Sequence, residues 1–382
     1  MAYTDTTALA GLVKTAYDRY VEFALRSQPL VRSVADKRPA QQAMPGSSVV
    51  FSLYNDLAAV TSALSSETTD PDAVALSDVS TTSVTLAEYG NASLVTRKLQ
   101  LFSLSDVDPA VADIIAYNMA DSLDKIAMES LRQGTNVIYG GSVTSTATVS
   151  SADTITSAKI RRAVAKLRSN KAVPRQGSLY WCGIHPEVSH DLRAETGSVG
   201  WRDIHAQTDS AQGNLWAGTI GTYEGAFFVE TPRMYQKAEG ANQSTFTTTT
   251  AASGSSGTTT ITVASTSGID VGDGVAISAT TGASTLVSAI NGVVLTLSVA
   301  TTAAVTSGAT VTITPKTNVY RTILCGKQAL AEAVAQEPGV VIGPVTDKLM
   351  RFRPIGWYGV LGFARYREDA LYRIETSSSI SA

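Results

Sequence analysis

The chain has 382 residues, a formal net charge of −3, 44% hydrophobic residues and only 16% charged ones. That length predicts two or more folded units with ample core, and the charged fraction lies so far under the roughly 25% of ordinary soluble domains that much of the surface is expected to be covered by something. The acidic balance argues against a tight grip on nucleic acid, which needs clustered Lys and Arg, though not against lying near DNA.

No apolar run approaches the ~18 to 20 residues of a membrane span, and MAYTDTTALAGLVK lacks the basic start, apolar core and small-residue cleavage site of a secretion signal. Two lone cysteines argue against a disulfide framework and fit synthesis in a reducing cytoplasm.

In chain order, residues 7–26 place Leu9, Leu12, Ala16, Tyr20 and Phe23 at helical spacing, ending before Pro29. Residues 30–46, with Pro39, Pro45 and Gly46 and no period, read as an extended arm. SSVVFSLYND and TTSVTLAEYGNASLVTRKL read as two β legs of a long hairpin. Between them Glu67, Asp70, Asp72 and Asp78 form an acidic tip without a positive charge. An isolated ribbon is marginal in water, so it should rest on something outside itself; a hairpin folded onto its own domain is the equal alternative.

A helix follows, with Asp108 as cap, Pro109 at its first position, Gly134 past its end, and Val111, Ile115, Met119, Leu123, Ile126 and Leu131 on one face. At 1.5 Å per residue it is a rod of about 25 residues and ~37 Å. TSAKIRRAVAKLRSN predicts another helix, with Ile160, Ala163, Val164 and Leu167 inward and Arg161, Arg162, Lys166 and Arg168 outward. Its basic face invites a nucleic-acid reading, but without interleaved aromatics or a known binding motif a solvated or subunit-contacting face is the expectation.

WCGIHPEVSHDL, residues 181–192, gathers Cys182, His185, Glu187, His190 and Asp191 in a chain with three histidines and two cysteines. Pro186 favours the first helical position and pushes His185 into extended geometry, so His185 reads as an N-cap between the strand SLYWCGI and the helix PEVSHDLRA. His185 and His190, five apart, do not share a helix face as a chelating pair would. Cys325 in RTILCG has no partner spacing. Both cysteines read as buried core and the histidines as cap or surface groups.

From Gln243 to Pro315 the only charged residues are Asp270 and Asp273. TTITVAS, GVAIS, VVLTLSV and ATVTITP alternate with the turn signals SGIDVGDG, NG and SG, predicting a small all-β insertion of five or six strands entered through a flexible linker, STFTTTTAASGSSG. Asp270 and Asp273 offer too few oxygens for a calcium loop and read as a β-turn.

No G-x-S-x-G, phosphate loop or H-E-x-x-H occurs, and the glycines of GTIGTYEGA lack the spacing of a dinucleotide fingerprint. The expectation is no enzyme, no cofactor and no metal.

These pieces in order resemble the major capsid protein of tailed double-stranded DNA bacteriophages, the Hong Kong 97 type. AKIRRAVAKLRSNKAVP, YWCGIHPEVSHDLRAETG with Trp201, and GTIGTYEGAFFVETPR are similar to the central region of the phage N4-like major capsid family, and NVYRTILCGKQALAEAV and RPIGWYGVLGFARYREDALYRIE continue the pattern. The resemblance covers residues 1–242 and 317–382, and the β-rich block departs from it as an added domain. It implies an α+β fold with an N-terminal arm at 1–46, an extended loop at 47–104, a peripheral domain at 105–150 and 351–382, an axial domain at 151–242 and 317–350, and the insertion at 243–316.

The same resemblance implies a structural subunit that forms hexamers and pentamers of an icosahedral virion shell, made in the host cytoplasm. Its partners would be itself, a portal protein, scaffolding or decoration proteins, and packaged DNA by non-specific contact only, with no membrane. The acidic tip is expected to meet an adjacent subunit's basic residues, with Arg351, Arg353, Arg365 and Arg367 as the candidate set. The insertion is expected on the outer face, as a clasp, a receptor for decoration proteins or a tolerated passenger. An encapsulin nanocompartment shares the fold and is the alternative. A tail or adhesion protein would be β-repetitive throughout.

Overall fold

The computed structural model describes residues 27–39, 48–53, 57, 59–61, 63, 75, 80–102, 107–195, 219–234, 236–277, 285–344, 349 and 351–380. The stripe at 7–26, the acidic tip and Trp201 lie outside these residues.

The described part of the expected arm is docked rather than free. A 3₁₀ turn at Val31–Val34 buries Val31 and Val34, and β1 (Asp36–Pro39) follows in a sheet. Pro39 is the last residue of the strand, and β1 lies at the edge of its sheet, where proline is tolerated. The hairpin legs β2 (Ser48–Leu53) and β3 (Ser80–Thr85) pair antiparallel. The expected second leg then divides. After Leu86, β4 (Ala87–Thr96) abandons the hairpin for another strand, and Arg97–Phe102, read in sequence partly as strand, forms the short helix α1. A continuous β-prone run gives no local sign of such a change of partner.

Helix α2 (Val107–Arg132) has 26 residues and begins one residue before the expected cap. After it come β5 (Val137–Tyr139), α3 (Ser157–Ser169), β6 (Tyr180–Ile184), α4 (Pro186–Ala194), β7 (Thr219–Tyr223), β8 (Ala226–Glu230) and β9 (Gln236–Asn242). Six short strands follow: β10 (Phe246–Thr249), β11 (Thr260–Thr262), β12 (Gly274–Ile277), β13 (Val287–Asn291), β14 (Val294–Leu297) and β15 (Thr310–Thr314). The chain closes with β16 (Lys316–Cys325), β17 (Leu330–Ile342), β18 (Phe352–Arg365) and β19 (Leu371–Thr376).

The central sheet runs β5-β19-β16-β6-β8-β7, with β9 also on β16. It is covered on both faces, which is why Tyr180–Ile184 is buried at every position and reads as an unbroken apolar run. Alternate residues serve the two sides. Cys182, Ile184, Phe228, Leu324 and Ile374 meet α3 and α4. Trp181, Val229, Ile323, Cys325 and Leu371 share the other core with Ala127, Met128 and Leu131 of α2.

A second sheet, β1-β17-β18-β4, receives the earlier part of the same helix: Ile115 packs with Val95, Ile355 and Trp357, and Leu123 with Val334 and Leu361. Helix α2 therefore belts the two sheets together, and Trp357 Nε1 donates to Asn118 Oδ1 at 3.0 Å. The hairpin base rests on the same chain, with Phe51 and Val84 against Ala331, Ala333 and Tyr366.

The six short strands form two three-stranded sheets around a core of Ile261, Leu295, Leu297, Val311 and Ile313 among others. They lie between β9 and β16, which pair with each other at Asn242↔Lys316. The expected flexible linker is instead part of this unit: β10 pairs β15, and Gly254 bridges Val305. The tight β13–β14 turn is made by Gly292 and Val293, between the paired Asn291 and Val294, with Gly292 at φ +59°, a conformation that favours glycine.

Candidate assembly surfaces

The 181–192 stretch is a structural joint. His185 has extended geometry (φ −78°, ψ 145°), and its Nδ1 accepts from the Glu187 N–H at 3.3 Å. That acceptor requires neutral imidazole, and burial holds the His185 pKa below its ordinary 6.5. His190 is exposed beside Asp191. Cys182 and Cys325 lie on paired strands and are both free and buried. Burial pushes the Cys325 thiol up to about 12 and Cys182 well above its usual value, so both remain neutral core groups.

Among the described residues no cluster of His, Cys, Asp and Glu is arranged to hold a metal, and no helix is long and apolar enough to cross a membrane. Asp270 and Asp273 form a turn, as the sequence predicts. The Asp270 N–H donates to Asp273 Oδ2 at 2.7 Å, and Asp273 Oδ1 also accepts from the Lys316 N–H at 2.9 Å. Asp273 thereby staples the six-strand unit to the start of β16.

The candidate interface residues are distributed unevenly. Glu67, Asp70, Asp72 and Asp78 lie outside the described residues. Arg351 and Arg353 are exposed at the start of β18, the former with its guanidinium 5.2 Å from the Phe352 ring centre. Arg365 and Arg367 stand at the other end, about 40 Å away at ~3.3 Å per strand residue. Arg367 is exposed. Arg365 is engaged within the chain, donating to Glu368 Oε2 at 2.9 Å and the Ser130 carbonyl at 3.0 Å. The four arginines therefore make two separate patches.

Sequence reasoning missed the ion networks that hold these surfaces in place. Arg233 reaches Asp121 at 2.6 Å, Asp124 at 3.3 Å, the Tyr117 hydroxyl at 2.9 Å and Ser27 Oγ at 2.7 Å. Arg32 joins the same node, its N–H donating to Asp124 Oδ1 at 2.9 Å while its guanidinium binds Glu332. Despite those partners, desolvation dominates at Asp124 and raises its pKa. In the central sheet, Arg321 bridges Glu239 and Glu375 at 2.9 Å each. The one local signal was a buried-type charge inside an apolar strand, as in RTILCG.

Large apolar side chains are exposed near one end of the second sheet. Leu94, Leu101, Phe102, Val341, Ile342 and Leu349 are all at least half exposed, with Phe102 at 77%. By the register, Leu94 opposite Pro354 and Val341 opposite Gly356 stand on one face of the sheet, and Ile342 opposite Ile355 on the other. Large apolar side chains exposed together at one end of a sheet mark a candidate interaction surface.

Solved structures of capsids share this fold, the Hong Kong 97 type. The capsid of cyanophage P-SCSP1u matches with a TM-score of 0.60 at 12% identity, covering 99% of this chain and 97% of that one. The capsid of Ralstonia phage GP4 matches with a TM-score of 0.60 at 11% identity over 96% of each chain. That of Helicobacter pylori bacteriophage KHP30 gives 0.60 at 13% identity over 99% of each. No curated protein matches. The model of the family described as phage capsid protein matches residues 129–376, and the chain belongs to that family.

Proposed function

We propose that this chain is the major subunit of an icosahedral shell that encloses packaged double-stranded viral DNA, and that it self-assembles as hexamers and pentamers. The observation that carries the reading is the apolar end of the second sheet together with family membership: a surface with Phe102 and Leu101 so exposed needs a cover, and further copies of the chain supply one. The low charge content has the same cause. The role is structural, with no chemistry assigned to any residue and no cofactor.

In this reading residues 1–46 are the N-terminal arm and 47–104 the extended loop that lies across a neighbour. Residues 105–150 and 351–382 form the peripheral domain, and 151–242 with 317–350 the axial domain at hexamer and pentamer centres. The six-strand unit, within 243–316, faces outward. A portal protein occupies one vertex, and scaffolding or decoration proteins act on the faces. The particle is assembled in the host cytoplasm. Electron microscopy of the purified chain tests the proposal. Closed polyhedral particles are expected, and a compact monomer at assembly concentrations would overturn it.

A further inference from the structure

Most of the cations of α3 lack a carboxylate partner among the described residues. Residues 157–171 contain six basic residues and no acidic one, within a chain whose net charge is −3. Two are engaged: Lys159 donates to the Gly141 carbonyl at 2.6 Å, and Arg161 pairs with Glu224 at 3.1 Å. Arg162, Lys166, Arg168 and Lys171 are exposed, and among the described residues none has an ion pair. The inward residues Ile160, Ala163, Val164 and Leu167 are buried, which fixes the helix and leaves the basic residues outward. Elsewhere in the fold most described arginines close onto carboxylates, as Arg32, Arg193, Arg233, Arg321 and Arg365 do.

We propose that the exposed cations of α3 and its C-terminal turn, Arg162 and Lys166 on one side with Arg168 and Lys171 beyond them, form a phosphate-binding surface that holds the backbone of the packaged DNA. The inference rests on the shell reading and sets the α3 side of the central sheet toward the interior. A folded protein partner would need a desolvated apolar or aromatic anchor among the charges. The surface has none; only Val173, beyond its end, is a large exposed apolar neighbour. Charge without an anchor suits a polyphosphate, whose non-specific binding is almost wholly electrostatic and reads no bases. Arg162 and Lys166, one turn apart on the same side of α3, are separated by a rise of about 6 Å, over which one DNA strand presents about two phosphates at ~3.4 Å each. One small basic surface per copy on an otherwise mildly acidic chain holds the polymer weakly and lets it leave.

The test uses the full chain, a short linear DNA duplex and a salt series, comparing the unaltered protein with an R162Q/K166Q/R168Q/K171Q variant and a charge-keeping R162K/R168K variant. Each phosphate neutralised contributes about 0.9 to the slope of log affinity against log salt, so two give about 1.8 and four at most about 3.6. The quadruple variant should lose this slope and at least tenfold in affinity at low salt, while the charge-keeping variant retains both. Equal affinity and slope in the quadruple variant, no salt-dependent binding by the unaltered chain, or tighter binding of polyglutamate than of DNA would each overturn the proposal. Particle formation is scored separately by electron microscopy. Failure of the unaltered chain to form particles defeats the shell reading, whereas normal DNA affinity in a particle-forming quadruple variant defeats this one alone.

Discussion

Arg32 and Glu332, separated by 300 positions in sequence, share an ion pair of 2.5 Å in which the carboxylate is fully buried. Glu332 lies on β17, paired with Lys37 of β1, so this pair fixes the N-terminal strand to the second sheet. Removing Arg32 leaves an uncompensated buried charge, whose cost is about 3 kcal/mol. Arg32→Ala should therefore lower the urea midpoint of the unassembled chain substantially. Adding Glu332→Gln should recover part of it. A single variant as stable as the parent would show that the pair contributes nothing.

The contrast between that pair and the 181–192 joint explains what the sequence can disclose. His185, Pro186 and the apolar run before them carry their geometry locally, through the φ of proline and the lost N–H, so cap and helix were legible from a dozen residues. So were the inward face of α3 and the turn at Asp270 and Asp273, both set by neighbours in sequence. The exchange of partner at Leu86 and the node joining Arg32, Asp124 and Arg233 depend on contacts about a hundred residues or more away. The two-patch division of the candidate arginines likewise follows from the length of β18, which exposed no local mark. The β10 strand hid inside a Thr- and Ser-rich run that resembles a linker because a short strand half open to solvent needs few apolar residues.

His185 gives a pH test. Its folded-state pKa is lowered by burial from 6.5, so the unfolded chain binds the proton more readily. The stability it contributes is fully present above about 6.5 and declines as pH falls below that value, down to the lowered folded pKa. His185→Asn retains a good N-cap without the titration and should flatten this part of the profile between pH 7.5 and 5.5 in urea unfolding. His185→Ala should cost about 1 kcal/mol at pH 7.5 through the lost cap. An unchanged pH slope in the asparagine variant would remove His185 from the account.

The six-strand unit begins and ends beside paired strands, Asn242 opposite Lys316, so it can be replaced by a tight turn without opening the β9–β16 ladder. A variant with residues 243–315 replaced by Asn-Gly should fold and form particles that are less resistant to heat, because contacts between neighbouring units are lost. Unaltered heat resistance would make the unit a passenger. Asp273→Ala is the subtler probe. It leaves the Asp270 and Lys316 N–H groups without their buried acceptor, at about 1 to 3 kcal/mol each. Limited proteolysis should then cut within 246–314 before the rest of the chain.

The acidic segment tests contact between copies. Arg351 and Arg353 are exposed at the start of β18 and are the candidate basic contact for Asp70 and Asp72 of a neighbour. An Asp70→Lys, Asp72→Lys variant should impair particle formation while leaving the monomer's unfolding free energy in urea within ~0.5 kcal/mol of the parent. Reversing Arg353→Glu in the same chain should restore particles in part. Normal shells from the lysine variant would rule this contact out.

Phe102 separates folding from assembly most cleanly. It is 77% exposed on α1, so it contributes little to the core of its own chain. If copies cover it, removing the ring forfeits roughly 25 cal/mol for each Å² of apolar surface that the contact takes from water, repeated at every equivalent interface of the shell. Phe102→Ser should thus leave the monomer's thermal midpoint nearly unchanged and raise the protein concentration needed for particles at least tenfold, read by light scattering. Phe102→Leu, which keeps most of the apolar area, should fall between the two. Assembly of the serine variant at the parental concentration would mean that this end of the sheet faces water in the particle, and the apolar patch would need another occupant.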